Sequence, residues 1–286
     1  MFGRVAICGL GVLGGSFAKA LRRAFPETVI AGCDLDRNFV RSALEDRVID
    51  SAFSADEMPQ CDLAAVALPV YGSIPVLSSM LERTSTGTLV IDMGSVKAPI
   101  VDALRGRPGF ERFVPCHPMA GSEQSGYGHS REDLFSGASV IVTPHEKNDG
   151  SDVSRVSRLW ERLGASVISS DAAFHDAMVA RMSHLPHLLS SALAIEAASA
   201  GKGAVDFSGK GLADMTRLAG GSPSMWAEIS GMNAEHILRA IGEYKGLLDE
   251  LERSLKDAGG QRVRGFLDKG AEAKRELYGE ENSRRG

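Results

Sequence analysis

A histidine in a stretch of small and polar residues is the first candidate for chemistry. His117 lies in "CHPMAGSEQSGYG" (residues 116–128), at the end of an apolar run that predicts a strand. Neutral imidazole accepts protons near neutral pH, which suits the oxidation of an alcohol, where a hydroxyl proton leaves as hydride departs. Ser95, in "DMGSVK", follows the preceding predicted strand and could hydrogen-bond the same hydroxyl. By pattern alone, a loop histidine bonded to backbone and a serine that caps a helix fit equally well.

A glycine-rich turn near the start of the chain predicts a nucleotide site. In "VAICGLGVLGGSFAKAL", Gly9, Gly11 and Gly14 follow a predicted strand and open a predicted helix. The first glycine of such a turn permits tight bending, the second lets a pyrophosphate approach the backbone, and the third allows close contact between helix and strand. A purely structural turn is the alternative. The predicted cofactor-binding residues are Gly9, Leu10, Gly11, Val12, Leu13, Gly14 and Asp34.

Asp34 bears on the choice of cofactor. It ends the second predicted strand, "TVIAGCD", at the position where an acid accepts hydrogen bonds from an adenosine ribose. Its negative charge would repel a 2'-phosphate, so NAD is expected. Arg37 lies close enough in sequence to offset part of that repulsion, so NADP stays possible.

The second half of the chain supplies further candidates for a substrate pocket. "SHLPHLL" places His184 and His187 three residues apart on one predicted helix face, with Ser183 beside them. Arg217, in "ADMTRLAGGSPSMW", could grip a carboxylate at two points, or could form a surface salt bridge. Two histidines without a third nearby ligand make a poor zinc site, so no metal is expected.

Two kinds of element must position these residues. Up to about residue 170, apolar strand-like runs alternate with amphipathic segments, which predicts a parallel sheet covered by helices on both faces, an α/β nucleotide-binding domain over 1–170. The pattern then becomes helical over 171–286, beginning with a long helix from about 172 to 200. A four-three apolar spacing predicts a helix-packing seam whose partner, in the same or a second chain, stays open: Ile237, Ile241, Tyr244, Leu248, Leu251 and Leu255.

Composition excludes some classes of partner. The 286 residues carry 32 basic and 37 acidic side chains, a net charge of −5, which provides no basic field for nucleic acid or an anionic membrane. The four cysteines show no CxxC pairing, and the sequence shows neither a secretory leader nor a membrane-length apolar run. A cytoplasmic enzyme acting on a small molecule is therefore expected.

Taken together, the motifs resemble those of the prephenate and arogenate dehydrogenases of tyrosine biosynthesis. The similarity runs in order through "GLGVLGGS", "DMGSVK", "HPMAGSEQSG", "SHLPHLL" and "DMTRLAGGSPSMW", which cover nearly the whole chain. It implies a Rossmann domain joined to a helical domain that forms a homodimer, and an NAD(P)-dependent oxidative decarboxylation of a cyclohexadienol. The chain departs from the resemblance at Ala213, where many relatives carry arginine.

The resemblance also implies roles for individual residues. His117 would accept the proton of the ring hydroxyl, Ser95 would assist there, and Arg217 would hold a substrate carboxylate. The pocket would be lined from the helical side by Ser183, His184 and His187.

Some alternatives stay open. A β-hydroxyacid type dehydrogenase shares the two-domain plan, although it usually relies on a lysine of the helical domain, and a catalytically silent NAD-binding protein would keep only the glycine turn. Glu123, six residues after His117, could attract the ammonium group of arogenate, or could pair with a basic neighbour.

Overall fold

The computed structural model describes residues 2–54, 57–121, 124–257 and 260–282, with side chains up to residue 279. These residues contain nine strands: β1 (Arg4–Cys8), β2 (Val29–Cys33), β3 (Ser51–Ala52), β4 (Leu63–Val66), β5 (Leu89–Asp92), β6 (Phe113–Val114), β7 (Cys116–Pro118), β8 (Ser139–Val142) and β9 (Ser166–Ser169). The α-helices are α1 (Val12–Ala24), α2 (Arg37–Glu45), α3 (Val70–Arg83), α4 (Ala98–Leu104), α5 (Gly150–Arg162), α6 (Ala172–Val179), α7 (Leu185–Ser199), α8 (Lys210–Thr216), α9 (Pro223–Met232), α10 (Ala234–Leu255) and α11 (Gln261–Asn282).

The first six strands form one parallel sheet in the order β3-β2-β1-β4-β5-β6. This is the strand order of a doubly wound dinucleotide-binding fold, in which ligands collect where the order reverses, beyond the carboxyl ends of the central strands. The reversal lies between β1 and β4, and the glycine turn directly follows β1. The predicted α/β class is confirmed, and the sheet places the turn at its ligand-binding edge.

Both faces of this sheet are buried, which explains the unbroken apolar character of its strands. Along β1, Val5 and Ile7 enter the core on one side, while Ala6 and Cys8 enter the core on the other. Side chains alternate across a strand, so a strand covered on both faces has no solvent side for polar residues.

A second, three-stranded sheet begins where the chain leaves the first. After β6, the chain passes through Pro115 into β7, which pairs antiparallel with β8, and β8 pairs parallel with β9. Sequence periodicity predicted only a parallel sheet, because a run as short as "CHP" carries no register information. The helix α5 covers this region through Trp160, which is fully buried between Phe17 and Phe135 at ring-centroid distances of 5.1 and 5.2 Å.

The remaining described elements are helical. The stretch predicted as one long helix from about 172 to 200 consists of α6, a π-helical turn over Ala180–His184, and α7. π-Turns add one residue to the helix and occur often at functional sites, because they redirect the side chains that follow.

Contacts divide the chain into two compact units, one up to Ala234 and one from Glu235. All residues discussed below as site candidates lie in the first unit. The second unit consists of α10 and α11, which are joined by an ion pair between Glu250 and Lys269, 2.9 Å apart. The domain boundary between 170 and 171 stays a prediction.

Candidate functional site

The glycine turn has the geometry that a bound pyrophosphate requires. Gly9 has a φ of +91°, and a Cβ there would lie 2.3 Å from the carbonyl oxygen of Ala67. A Cβ on Gly14 would lie 1.8 Å from the carbonyl oxygen of Gly9, whereas one on Gly11 would meet no atom within 4 Å. The first and third glycines are therefore required by the fold. The second leaves open space at the start of α1, where free N–H groups favour an anion.

Asp34 lies at the rim of this space. Its Oδ2 accepts from the N–H of Leu10 at 2.6 Å, and its Oδ1 accepts from the N–H of Asp36 at 2.8 Å. Each carboxylate oxygen keeps a second lone pair, so Asp34 is held in place and can still accept from ribose hydroxyls. The half-buried side chains of Val12 and Leu13 begin α1 beside the same space.

The strand that carries His117 is fixed by the residue before it. The Cys116 N–H donates to Asp92 Oδ1 at 3.1 Å, the Cys116 carbonyl accepts from Lys97 Nζ at 2.7 Å, and the Cys116 thiol accepts from Trp160 Nε1 at 3.4 Å. Lys97 Nζ also forms an ion pair with Asp92, and both side chains are fully buried. Buried charges are tolerated only when they are paired and hydrogen-bonded, so this arrangement is specific and keeps the backbone of β7 in one position.

A chain of three side chains extends from His117. Its Nδ1 lies 2.8 Å from His175 Nε2, and His175 Nδ1 lies 2.7 Å from Asp176 Oδ1. All three residues are buried: the exposed fraction is 7% for His117, 1% for His175 and 1% for Asp176. His117 belongs to β7, whereas His175 and Asp176 lie in the middle of α6, so the chain crosses from the sheet to the helical part of the same unit.

Asp176 also holds the start of α4. Its Oδ1 accepts from the N–H of Lys97 and its Oδ2 from the N–H of Ala98, both at 2.8 Å. These are among the N–H groups that a helix leaves without an intrahelical partner. Ser95 is half-buried in the loop between β5 and α4 and does not act as the cap of that helix.

The two histidines predicted to share a helix face lie together against one tryptophan. His187 stacks on Trp226 with ring centroids 3.6 Å apart, and His184 meets the same ring edge-on at 6.0 Å. Asn233 Nδ2 donates to His184 Nδ1 at 3.1 Å and to the carbonyl oxygen of Asp176 at 2.8 Å. This cluster therefore joins the Asp176 end of the chain described above.

Three predicted residues remain. Ser183 and Arg217 belong to elements that adjoin this cluster, and Glu123 is not described. Ser183 is half-buried in the π-turn, directly before His184. Arg217 is exposed and begins a 3-10 turn over residues 217–220 that packs against α7. That turn is fastened by the Ala219 N–H, which donates to Ser190 Oγ at 3.1 Å. Glu123 lies outside the described residues.

Burial sets the protonation of the histidines. It lowers the pKa of His117 well below 6.5, helped by electrostatic interactions with His175, with the cation of Lys97 and with His184. It also lowers the pKa of His184 to about 4 and that of His187 below its usual value. Since an imidazole that is neutral at pH 7 has a free lone pair, His117 is suited to accept a proton.

Within the described ranges, no group of three or more His, Cys, Asp or Glu side chains is arranged to hold a metal ion. In the same ranges, no helix combines the length and apolar character needed to cross a membrane. The arrangement offers a nucleotide site at one end and a neutral imidazole with a fixed partner at the other.

Comparison with protein families covers most of the chain. A model described as prephenate dehydrogenase, nucleotide-binding domain, matches residues 17–169, and one described as prephenate dehydrogenase, dimerization domain, matches residues 171–268. The chain belongs to the prephenate dehydrogenase family.

Individual members of the family are similar over nearly the full chain. The prephenate dehydrogenase of Bacillus subtilis is 30% identical over 254 residues, which are 86% of this chain and 68% of that protein. The crystal structure of Aquifex aeolicus prephenate dehydrogenase with hydroxyphenyl propionate and NAD+ is 30% identical, with a TM-score of 0.89 and coverage of 97% of this chain and 99% of that one. The Synechocystis arogenate dehydrogenase structure is 25% identical, with a TM-score of 0.82 and coverage of 96% and 99%.

The sequence did not predict several residues whose hydrogen bonds position the candidate site. Asp92 and Lys97 were seen only as the first and last residues of "DMGSVK", while His175, Asp176 and Asn233 gave no signal. His175 and Asp176 occur within "AAFHDAMV", which reads as ordinary helix, and their partners are tens of residues away in sequence. A buried lysine can be suspected only where an acid such as Asp92 ends the neighbouring strand.

Proposed function

We propose that this protein is a cyclohexadienyl dehydrogenase that carries out the NAD-dependent oxidative decarboxylation of prephenate, arogenate or both in tyrosine biosynthesis. The observation that carries the proposal is the buried, neutral imidazole of His117 in a member of the prephenate dehydrogenase family. Relatives named for prephenate and for arogenate are both similar to this chain, so the two substrates are kept together.

The chain's own residues have separate tasks. His117 accepts the proton of the ring hydroxyl, Ser95 hydrogen-bonds that hydroxyl, and Arg217 holds a carboxylate of the substrate. NAD, when bound, accepts the hydride from the carbinol carbon. The ring carboxylate leaves as carbon dioxide, and formation of an aromatic ring supplies the driving force. The protein therefore needs to bind, orient and remove one proton.

The cofactor assignment rests on the turn at Gly9–Gly14 and on Asp34. The open space at Gly11 admits a pyrophosphate, and the carboxylate held at Asp34 favours a ribose with free hydroxyls over a 2'-phosphate. NAD is therefore the proposed cofactor, as in the Aquifex aeolicus complex, and NADP is its weaker competitor.

A homodimer through the helical half is also proposed. In α7, most of whose residues are apolar, only Leu185, His187 and Ser190 are buried, and α8 has no buried residue. The second matching family model is described as a dimerization domain. Large apolar side chains are exposed on this part of the chain: Ile195, Val205, Phe207 and Met215. A cytoplasmic location stays a prediction.

The β-hydroxyacid alternative has less support. Enzymes of that type usually rely on a lysine of the helical domain, whereas Lys97, the lysine that acts on the pKa of His117, belongs to the nucleotide half and is already paired with Asp92. The family models over 17–169 and 171–268 also argue against a protein that kept only the glycine turn.

The experiment that tests the proposal measures NADH formation at 340 nm with prephenate and with arogenate. Wild type is expected to reduce NAD with at least one of them. His117→Asn should lose about 10²- to 10⁴-fold in kcat with little change in KM, because a general base contributes a factor of that order. His129→Asn, at an exposed histidine, is the matched control and should keep wild-type rates. No NADH with either substrate would refute the activity, and wild-type turnover of His117→Asn would refute the assigned base.

A further inference from the structure

We propose that His175, anchored by Asp176, is a positioning residue that fixes the tautomer of His117, so that Nε2 of His117 is the nitrogen that accepts the substrate proton. This inference rests on the proposed function for its catalytic consequence. The hydrogen-bond geometry on which it stands does not depend on that function.

The first step of the argument concerns Asp176. Its two carboxylate oxygens already accept from the N–H groups of Lys97 and Ala98, each at 2.8 Å. An ionised carboxylate can only accept hydrogen bonds, so the contact at 2.7 Å between Asp176 Oδ1 and His175 Nδ1 requires the proton to lie on His175 Nδ1. Asp176 cannot rotate away without leaving the start of α4 uncapped.

The second step follows from the neutral imidazole having one N–H. An imidazole that carries its one proton on Nδ1 presents Nε2 as an acceptor, and this is the form that the contact with Asp176 assigns to His175. His117 Nδ1 lies 2.8 Å from that atom and must therefore donate. The proton of neutral His117 is thus on Nδ1, and its Nε2 lone pair is free for the substrate.

The third step concerns the moment when His117 is protonated. The new positive charge lies beside His175, which passes polarisation on to the Asp176 carboxylate two hydrogen bonds away. A fixed dipole aimed at developing charge stabilises it without reorganisation at the time of reaction. Among the described residues, the groups that act on the pKa of His117 are Lys97, His175 and His184, Asp92 is the counter-ion of Lys97, and Asp176 lies behind His175.

The residues on the other side of Asp176 support the same arrangement. Asn233 Nδ2 donates to the backbone carbonyl of Asp176 and to His184 Nδ1. Because both amide hydrogens are used, the orientation of Asn233 is set, and His184 carries its own proton on Nε2. His184 therefore offers no acceptor nitrogen on that side that could compete with His175.

The direct test is the tautomer itself, read from long-range 1H–15N correlation spectra of the 15N-histidine-labelled full-length protein without substrate. Two of the seven histidines are assigned by the signals missing in His117→Asn and in His175→Gln. We expect wild-type His117 to carry its proton on Nδ1. A proton on Nε2 would overturn the proposal whatever the turnover, while absence of turnover in wild type would refute only the proposed function.

Two substitutions at His175 separate positioning from mere packing. The oxygen of Gln can replace Nε2 as an acceptor, so His175→Gln should keep the His117 tautomer and lose no more than a few-fold in kcat. His175→Phe fills the same space without an acceptor and should lose on the order of 10²-fold in kcat at nearly constant KM, with His117 shifting toward the Nε2–H form. In the His117→Asn background, His175→Phe should have almost no further effect on kcat.

The contrary results are equally defined. Equal losses in His175→Gln and His175→Phe, with the His117 proton still on Nδ1 in the Gln variant, would show that His175 does more than position and would overturn the proposal. A loss that persists undiminished in the His117→Asn background would assign His175 a structural role that does not act through His117. If His175→Phe fails to fold, the wild-type tautomer and the Gln variant still decide.

Discussion

His117 owes its chemistry to its surroundings more than to its residue type. Burial lowers the pKa of its imidazole well below 6.5, and electrostatic interactions with His175, with the cation of Lys97 and with His184 add to the effect. A lowered pKa means that the neutral form predominates at pH 7. The residue is therefore already in the proton-accepting state before substrate binds, and lowering the pH below 6.5 should be required to switch it off.

Arg217 should contribute to substrate binding more than to turnover. Removing a two-point guanidinium–carboxylate contact costs about 1.5–3 kcal/mol, so Arg217→Ala is expected to raise KM roughly 10- to 100-fold, with kcat within a few-fold. Arg217→Lys, which keeps the charge but not the planar fork, should lie between wild type and the Ala variant. Steady-state kinetics with the preferred substrate measure both constants. A loss confined to kcat would contradict the assigned role.

At the scale of elements, the π-turn, α7 and α9 bring two histidine rings against one tryptophan. His184 ends the turn, His187 follows it in α7, and both rings contact Trp226, while Gly221 leaves no room for a side chain beside them. A Cβ at that position would lie 2.8 Å from His187 Cε1. The packing is tight enough to keep these rings neutral and in place.

This packing predicts a pH-dependent stability. The pKa of His184 is about 4 in the folded protein, against 6.5 for an unperturbed histidine. As the pH falls from 6.5 toward 4, the unfolded chain binds a proton at His184 that the folded chain does not, so stability is lost in that window. His184→Asn keeps an acceptor for Asn233 without a titrating group, and its Tm should fall less between pH 7.5 and pH 5.

The control for this measurement is His129→Asn, which changes an exposed histidine. Its loss of Tm between the two pH values should match that of wild type. If His184→Asn loses as much Tm as wild type over the same range, burial of His184 does not limit stability in acid.

The nucleotide half of the site could be predicted from the sequence because its signals are local. Gly9, Gly11 and Gly14 lie within six residues, and the roles of all three follow from one turn. His175 could not be predicted as a partner of His117, because 58 residues separate them and a helical periodicity gives no sign of which face meets which strand. Local sequence patterns predict where helices and strands form, whereas contacts between residues distant in sequence decide which polar groups meet.

For the whole molecule, we expect a dimer twice the monomer mass in size-exclusion chromatography with light scattering. The exposed fractions of Ile195 and Phe207, 72% and 95%, are high for such side chains in a monomer. Replacing both by Lys should weaken the dimer and give monomer at low micromolar concentration. Leu35→Lys, at a fully exposed apolar residue of the nucleotide half, is the matched control and should stay dimeric. A wild-type monomer would contradict the proposal.

The link from His117 to Asp176 has a consequence for how the gene could be recombined. The two family models meet between residues 169 and 171, so His117 belongs to one and its anchoring pair to the other. A chimera that joins the first segment of one relative to the second segment of another would inherit His117 and its hydrogen-bonding partners from different parents. Such exchanges should yield active enzymes only where both parents present an equivalent acceptor to the ring.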